Sequence, residues 1–253
     1  DLALHNLERY WYSINGISLL LLPLSLLFGG VVWLRRQAFR AGLKRSHRFP
    51  VPVIVVGNIT VGGTGKTPLV IWLARWLQQH ALRPGILTRG YGGGSPSWPL
   101  RVDPDTPVAV AGDEAVLLRR RSGCPVYAGP DRFRSGQQLL AEHACDIIIS
   151  DDGLQHYRLR RDCELVVISA CRQFGNHLLL PAGPLREPVS RLPRRLPSCR
   201  RVSSRRCSSG STPDCSIGRI CTSRTAPAFC LLLRKAGAVR DVRSEERFSR
   251  NAE

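Results

Sequence analysis

Methionine is absent from all 253 residues, and the chain opens on Asp1; together these point to a missing start or a fragmentary reading of the gene. The nine cysteines include no C-x-x-C pair, and five of them (Cys199, Cys207, Cys215, Cys221 and Cys230) fall in the last quarter of the chain. No zinc site is indicated by such spacing. Acidic residues are scarce, with 19 Asp and Glu against 37 Lys and Arg, a formal net charge of +18 and a pI near 10.7. A surplus of that size ordinarily suggests nucleic acid or anionic lipid. Its placement decides between them. Arg191 to Glu253 carries 15 basic and 5 acidic residues, and a second basic cluster follows the first hydrophobic segment. Neither is a basic stripe interleaved with aromatics, which argues against a nucleic-acid partner.

What is present begins with a core. Hydrophobic residues make up 43% of the chain, enough for one large α/β domain or two smaller ones. The organising stretch is Val51 to Pro68, VPVIVVGNITVGGTGKTP. Val53 to Val56 read as a short β-branched strand buried on both faces. Gly62, Gly63 and Gly65 free the backbone to wrap an anion, Lys66 adds charge, and Thr67 offers a hydroxyl to Mg²⁺ where a helix over Pro68–Gln79 begins. This is a phosphate-binding loop, with Thr60, Val61, Gly62, Gly63, Thr64, Gly65, Lys66 and Thr67 as the nucleotide-binding residues. Thr60 stands where the GxxxxGK[ST] pattern has its first glycine. A glycine-rich turn with a solvated lysine is the plainer alternative. A nucleotide loop draws on a cytosolic supply, which with the odd cysteine count argues for reduced thiols.

Ahead of the loop, Tyr10 to Leu34 contains no charged residue, and Ile14 to Leu34 is long enough to cross or enter a bilayer. Tyr10, Trp11, Tyr12 and Trp33 mark its ends as interfacial aromatics do. Arg35, Arg36, Arg40, Lys44, Arg45 and Arg48 follow, against a single Arg9 before it. That asymmetry puts the phosphate loop on the cytoplasmic side. A signal peptide has its basic residues on the other side of a shorter apolar run, and a buried core helix is the remaining alternative. Pro23 and the Gly29-Gly30 pair would let the segment kink and lie partly in one leaflet.

After the loop, strand and helix alternate, as in a parallel sheet with crossover helices. Strands are expected over Gly85–Thr88, Pro125–Ala128 and Glu164–Ser169. Helices are expected over Ala115–Arg121 and from an Asp131 cap to near His143. The run Asp146 to Asp152 delivers two carboxylates at the C-terminal end of a buried strand, where open α/β sheets hold their ligands. Asp151 fits the position that holds Mg²⁺ or its water; with Asp152 and His156 the DDGLQH run gathers two acids and a titratable ring. A turn with helix-capping aspartates is the alternative. Asp113, after Gly112, is a candidate base for a phosphoryl acceptor and equally an N-cap.

In this order, GNITVGGTGKTP from Gly57, RGYGG from Arg89, GDEAVLL from Gly112, DDGLQH from Asp151 and LPAGPLREP from Leu180 resemble the tetraacyldisaccharide 4'-kinase family. The resemblance runs to about Ser190 and includes the departure at Thr60. It implies a P-loop NTPase-like parallel sheet with flanking helices behind an N-terminal membrane-associated helix. It further implies an inner-membrane enzyme, its catalytic domain on the cytoplasmic face, that moves the γ-phosphate of ATP to the 4'-hydroxyl of a lipid-linked glucosamine disaccharide. On that likeness Lys66 and Thr67 bind phosphate and Mg²⁺, Asp113 is the base with Glu114 beside it, and Asp151 and Asp152 are the metal and nucleotide carboxylates. His156 joins the catalytic set and Glu187 the metal set as supporting residues. No protein partner is indicated.

The chain therefore divides into a membrane anchor with its basic flank (1–48), a kinase domain (49–190) and an atypical basic tail (191–253). The tail has no helical or strand period and too little apolar content for another sheet layer; it is expected to be irregular. The family would continue with a second α/β lobe, so a frame shift near Arg191 is expected, with an authentic lipid-binding tail as the competing reading. A membrane-tethered nucleotide-binding protein without kinase activity is the functional alternative.

Overall fold

The computed structural model describes residues 10–62, 65–169, 172–192 and the backbone of 219–225. Gly63 and Thr64 of the phosphate loop, and most of the basic tail, lie outside the described residues. The described elements begin with α1 (Gly16–Leu20) and α2 (Leu22–Arg40), then β1 (Val53–Gly57), α3 (Lys66–Gln79), β2 (Pro84–Thr88) and β3 (Leu100–Val102). It continues through α4 (Val108–Ala111), α5 (Asp113–Ser122), β4 (Val126–Ala128), α6 (Arg132–Glu142), β5 (Ile147–Asp151) and β6 (Cys163–Ile168). A 3-10 turn, Val189–Arg191, and β7 (Arg219–Thr225) are the last described elements.

The strands form one seven-stranded sheet in the order β3-β4-β2-β5-β1-β6-β7. The five inner strands are parallel, while β3 and β7 run antiparallel on the two edges. The sheet is thus mixed rather than wholly parallel. β7 gives Arg219–Thr225 of the tail, expected to be irregular, a place on the sheet edge; the rest of the tail from residue 193 lies outside the described residues. An edge pairs through backbone groups that β6 leaves open, so Arg219–Thr225 can join it without the periodicity a buried strand shows.

Alternation along β1 explains how both faces are covered. Ile54 and Val56 enter one apolar layer with Leu69, Val70, Leu73 and Leu77 of α3 and Leu118 of α5. Val53 and Val55 enter the other with Leu139 of α6 and Leu154, Leu159 and Leu185 from the long loops. Each such fully buried side chain contributes about 1.5–3 kcal/mol of transfer free energy, and a strand buried on both sides reads as the unbroken apolar run seen in the sequence. The chain leaves β1 for β2 on one side and crosses from β5 to β6 on the other. The crevice at the C-terminal ends of β1 and β5 is where open sheets of this kind hold ligands.

The N-terminal segment departs from a single apolar span. Leu21 ends α1 and caps α2, and Pro23 occupies the first turn of α2. From Leu22 to Leu34, the charge-free part of α2 measures roughly 20 Å at 1.5 Å per residue, against about 30 Å of hydrocarbon. No described helix is long and apolar enough to cross a membrane. One side of the pair is occupied by protein: Ser25 Oγ donates to Leu179 O at 2.8 Å, and Gly29 leaves only 2.8 Å between a built Cβ and the Leu179 side chain. Trp11 is buried and its indole donates to Pro181 O at 3.0 Å.

Candidate active site

The phosphate loop leaves β1 at Gly57 and enters α3 at Lys66. Gly65 caps α3 at φ 78°, in the left-handed region, a conformation glycine adopts without steric cost. Among the described residues no side chain caps α3, so its first N–H groups are open to an anion. The start of the loop is clasped by the LPAGPLREP segment: Thr60 bridges to Leu185, Val61 N donates to Pro184 O at 2.8 Å, and Arg186 N to Ile59 O at 2.7 Å. Thr60 therefore sits in a strand-like pairing that needs no glycine.

Lys66 Nζ lies 3.3 Å from Asn58 Oδ1 and 3.4 Å from Asp152 Oδ1, with its side chain 13% exposed. Asp152 also receives Arg186 at 3.3 Å. Burial would raise the Asp152 pKa, but Lys66 and Arg186 outweigh it and hold the carboxyl below its ordinary range. Asp151, the last residue of β5, is 1% exposed and accepts the Asp152 N–H at 2.9 Å. Burial, then repulsion from Glu114, pushes its pKa up to about 7, with Lys66 and Arg132 pulling the other way. Glu114, half-buried, is shifted upward by burial and by Asp152 and Asp113, while Lys66 opposes the rise. Lys66, Asp151, Asp152 and Glu114 thus form one electrostatic cluster at the C-terminal ends of β1 and β5.

Asp113 is the first residue of α5 rather than its cap; the cap is Gly112 at φ 87°. Its carboxylate is exposed and accepts the Glu114 N–H at 2.8 Å. The RGYGG loop fixes this corner, because a Cβ on Gly112 would stand 2.2 Å from Tyr91 O. Gly112→Ala is accordingly expected to cost more than about 2 kcal/mol and to displace Asp113 and Glu114. Urea unfolding measures the first, and an unchanged midpoint would refute it.

Two expected residues remain. His156 has its Nε2 buried without a hydrogen-bond partner among the described residues. Burial, and then Arg132, drives its pKa down to about 4, and the other charges acting on it are Asp131, Arg161 and Arg158. The ring is thus neutral near pH 7 and lies beside Arg132, which in turn donates to Asp151 O. Glu187, expected at the metal, instead accepts the Tyr157 hydroxyl at 2.8 Å and pairs with Arg191. The extended chain alternates there, so Arg186 faces Asp152 while Glu187 answers buried arginines. Thr67 is in the first turn of α3 as expected.

Sequence reasoning missed Asn58, Arg186 and Arg132. Arg132, 3% exposed, donates to Gly129 O at 2.7 Å and Asp151 O at 3.1 Å, tying the ends of β4 and β5 together. Burial lowers its pKa to about 10, with Asp151 and Asp152 opposing. Period-two alternation beside Glu187 was the available signal for Arg186; Asn58 and Arg132 carried none beyond proximity to the motifs.

The residues fit a magnesium nucleotide. A buried carboxylate among like charges, a lysine and an uncapped helix start are the donor set that a metal-bridged polyphosphate requires. No three described His, Cys, Asp or Glu side chains converge as a metal cage, and Mg²⁺ ordinarily takes only one or two carboxylates beside phosphate and water.

Comparison with known proteins places this arrangement. Residues 17–196 match the family described as Tetraacyldisaccharide-1-P 4'-kinase. Tetraacyldisaccharide 4'-kinase of Nitrosococcus oceani is 55% identical over 184 residues, covering 73% of this chain and 54% of the relative. The Aeromonas hydrophila protein of the same name is 54% identical over 188 residues, 74% of this chain and 56% of that one. The crystal structure of LpxK from Aquifex aeolicus in complex with ATP superposes with a TM-score of 0.63 at 35% identity, over 69% of this chain and 55% of that protein. The chain spans about half the length of the curated relatives it matches.

Proposed function

The chain belongs to the tetraacyldisaccharide-1-P 4'-kinase family, and from that premise we propose that it binds ATP with Mg²⁺ and transfers the γ-phosphate to the 4'-hydroxyl of a tetraacyldisaccharide 1-phosphate. The observation that carries this reading is the convergence of Lys66, Asp151, Asp152 and Glu114 beside the uncapped start of α3. Phosphoryl transfer asks mostly for positioning and charge compensation. The α3 amides and the Lys66 ammonium receive phosphate oxygens. Asp151, Asp152 and Thr67 would hold Mg²⁺, which when bound neutralises charge on the phosphates. Asp113, exposed at the mouth of the cluster, takes the proton of the acceptor hydroxyl as its oxygen bonds to phosphorus, and ADP leaves with the electrons of the broken bond.

A lipid-linked acceptor is best met at a membrane surface, and the reading places the enzyme on the cytoplasmic face of a bacterial inner membrane. It is supported by the apolar side chains that α1 and α2 turn outward, Leu20, Leu27, Trp33 and Leu34 among them, each more than half exposed, next to the basic residues that follow. A helix pair of this kind can lie in one leaflet without spanning it.

The test is transfer of labelled γ-phosphate from ATP to tetraacyldisaccharide 1-phosphate in detergent micelles. Asp113→Asn is expected to slow it roughly a hundredfold while leaving ATP affinity within about twofold. Turnover unchanged by the substitution would remove Asp113 from the proton-accepting role, and phosphate appearing on no lipid would overturn the kinase reading.

A further inference from the structure

On the sheet face lined by Leu159 and Leu192, the end of α2, the turn after it and the 3-10 turn Val189–Arg191 surround an open cavity of about 920 Å³. Its floor is a closed ion network. Arg161 and Arg191, each with a side chain 9% exposed, hold Glu164 at 3.2 and 2.9 Å, and Arg191 also pairs with Glu187. Both guanidinium groups lie 5.8 Å from the Tyr157 ring centre. The carboxylates are therefore engaged from below. The rim carries Arg36, Arg40, Lys44, Arg45 and Arg160, none of which forms an ion pair among the described residues.

The helix C-terminus accounts for a cation at Arg40, and solvent accounts for any single exposed arginine. Neither accounts for five cations without an ion pair among the described residues around one concavity, where low-dielectric walls focus the field. Arg36 registers the crowding: burial, then Arg40 and Arg191, depress its pKa. Among the described residues no carboxylate is ion-paired with the rim to relieve it. Arginine forks match phosphate geometry, and Phe39, Tyr157 and Leu159 give the cavity an apolar wall within the size range of small-molecule pockets.

We propose that this cavity is a second anion site, separate from the phosphate loop, that binds a phosphate monoester. None of its lining residues belongs to the Lys66 cluster, so it stands whether or not the chain is a kinase. The chemistry admits two sources, a phosphorylated lipid headgroup or free phosphate.

The experiment uses the full chain carrying Lys66→Ala, which weakens anion binding at the phosphate loop in every sample alike, and two double variants. Arg36→Gln/Arg160→Gln removes charge from the rim; Arg120→Gln/Arg121→Gln removes the same charge from the far end of α5. Inorganic phosphate is titrated calorimetrically, and vesicles of phosphatidylcholine with or without phosphatidic acid are co-sedimented. The rim variant is expected to weaken phosphate about tenfold with the α5 variant unchanged, which assigns the site to free phosphate as well. A rim-specific loss seen only with phosphatidic acid assigns it to the lipid headgroup. Equal losses in the two variants, or none in the rim variant with either probe, would overturn the proposal in favour of the general positive charge.

Discussion

Replacing Lys66 by alanine is expected to lower γ-phosphate transfer on the order of a thousandfold. The ammonium is nearly enclosed and placed between Asn58 Oδ1 at 3.3 Å and Asp152 Oδ1 at 3.4 Å. Two effects follow from its loss. The growing negative charge on the transferring phosphoryl oxygens loses a cation held in a site where water screens poorly, so the transition state suffers more than the ground state. Asp152 keeps only Arg186, at 3.3 Å, and its carboxyl moves back toward the ordinary range. Lys66→Arg should not restore the rate, since a planar fork cannot occupy the place of a point charge between those two oxygens. Single-turnover kinetics report the transfer. ATP affinity, expected to fall at least about tenfold, gives a readout independent of turnover. A variant that transfers within tenfold of the parent would mean that the loop binds something other than the reacting phosphate.

The extent to which this site was legible follows from what kind of signal each residue carries. β1, β5 and the phosphate loop announce themselves because a doubly buried strand must be an unbroken apolar run and a loop around an anion must be glycine-rich; Val53–Gly57 and Ile147–Asp151 lie within a residue of their expected bounds. Asp131 was likewise readable as a cap, and accepts from Phe133 N at 3.0 Å. Edge strands β3 and β7 were not readable, because short edges are selected by backbone pairing rather than by side-chain period. The apolar N-terminal run was read as able to cross or enter a bilayer with a kink available at Pro23, and the helix does restart there; hydropathy, which sums composition, does not say whether such a run spans. His156 and Glu187 were placed by the family likeness of the motifs that hold them, not by a pattern that fixes where their side chains go. Neighbourhood along an extended chain assigns alternate residues to opposite sides, so Arg186, and not Glu187, reaches Asp152.

Asp151→Asn is expected to make the ligand-free protein more stable at pH 8 while reducing transfer about a thousandfold. The carboxylate is 1% exposed, and its hydrogen bond from the Asp152 N–H survives in asparagine, whose Oδ1 accepts equally well. What the substitution removes is a charge that burial and Glu114 oppose, the cause of a pKa raised from 3.8 to about 7. For a carboxyl whose folded pKa lies above its unfolded value, the folded state binds the proton more tightly. Its stabilising share is complete below about pH 4 and is lost as pH rises toward 7. At pH 8 the ionised group costs the fold on the order of a few kcal/mol, an amount the asparagine does not carry. Urea midpoints of the two proteins should therefore lie close at pH 4 and separate at pH 8, the variant being higher. Addition of MgATP should raise the parent alone, because the cost of burying the charge is recovered only when a cation sits against it. An asparagine protein less stable than the parent at pH 8 would show that Lys66 and Arg132 already compensate Asp151. The carboxylate would then be a structural ion-pair member rather than a charge kept in the fold for the metal.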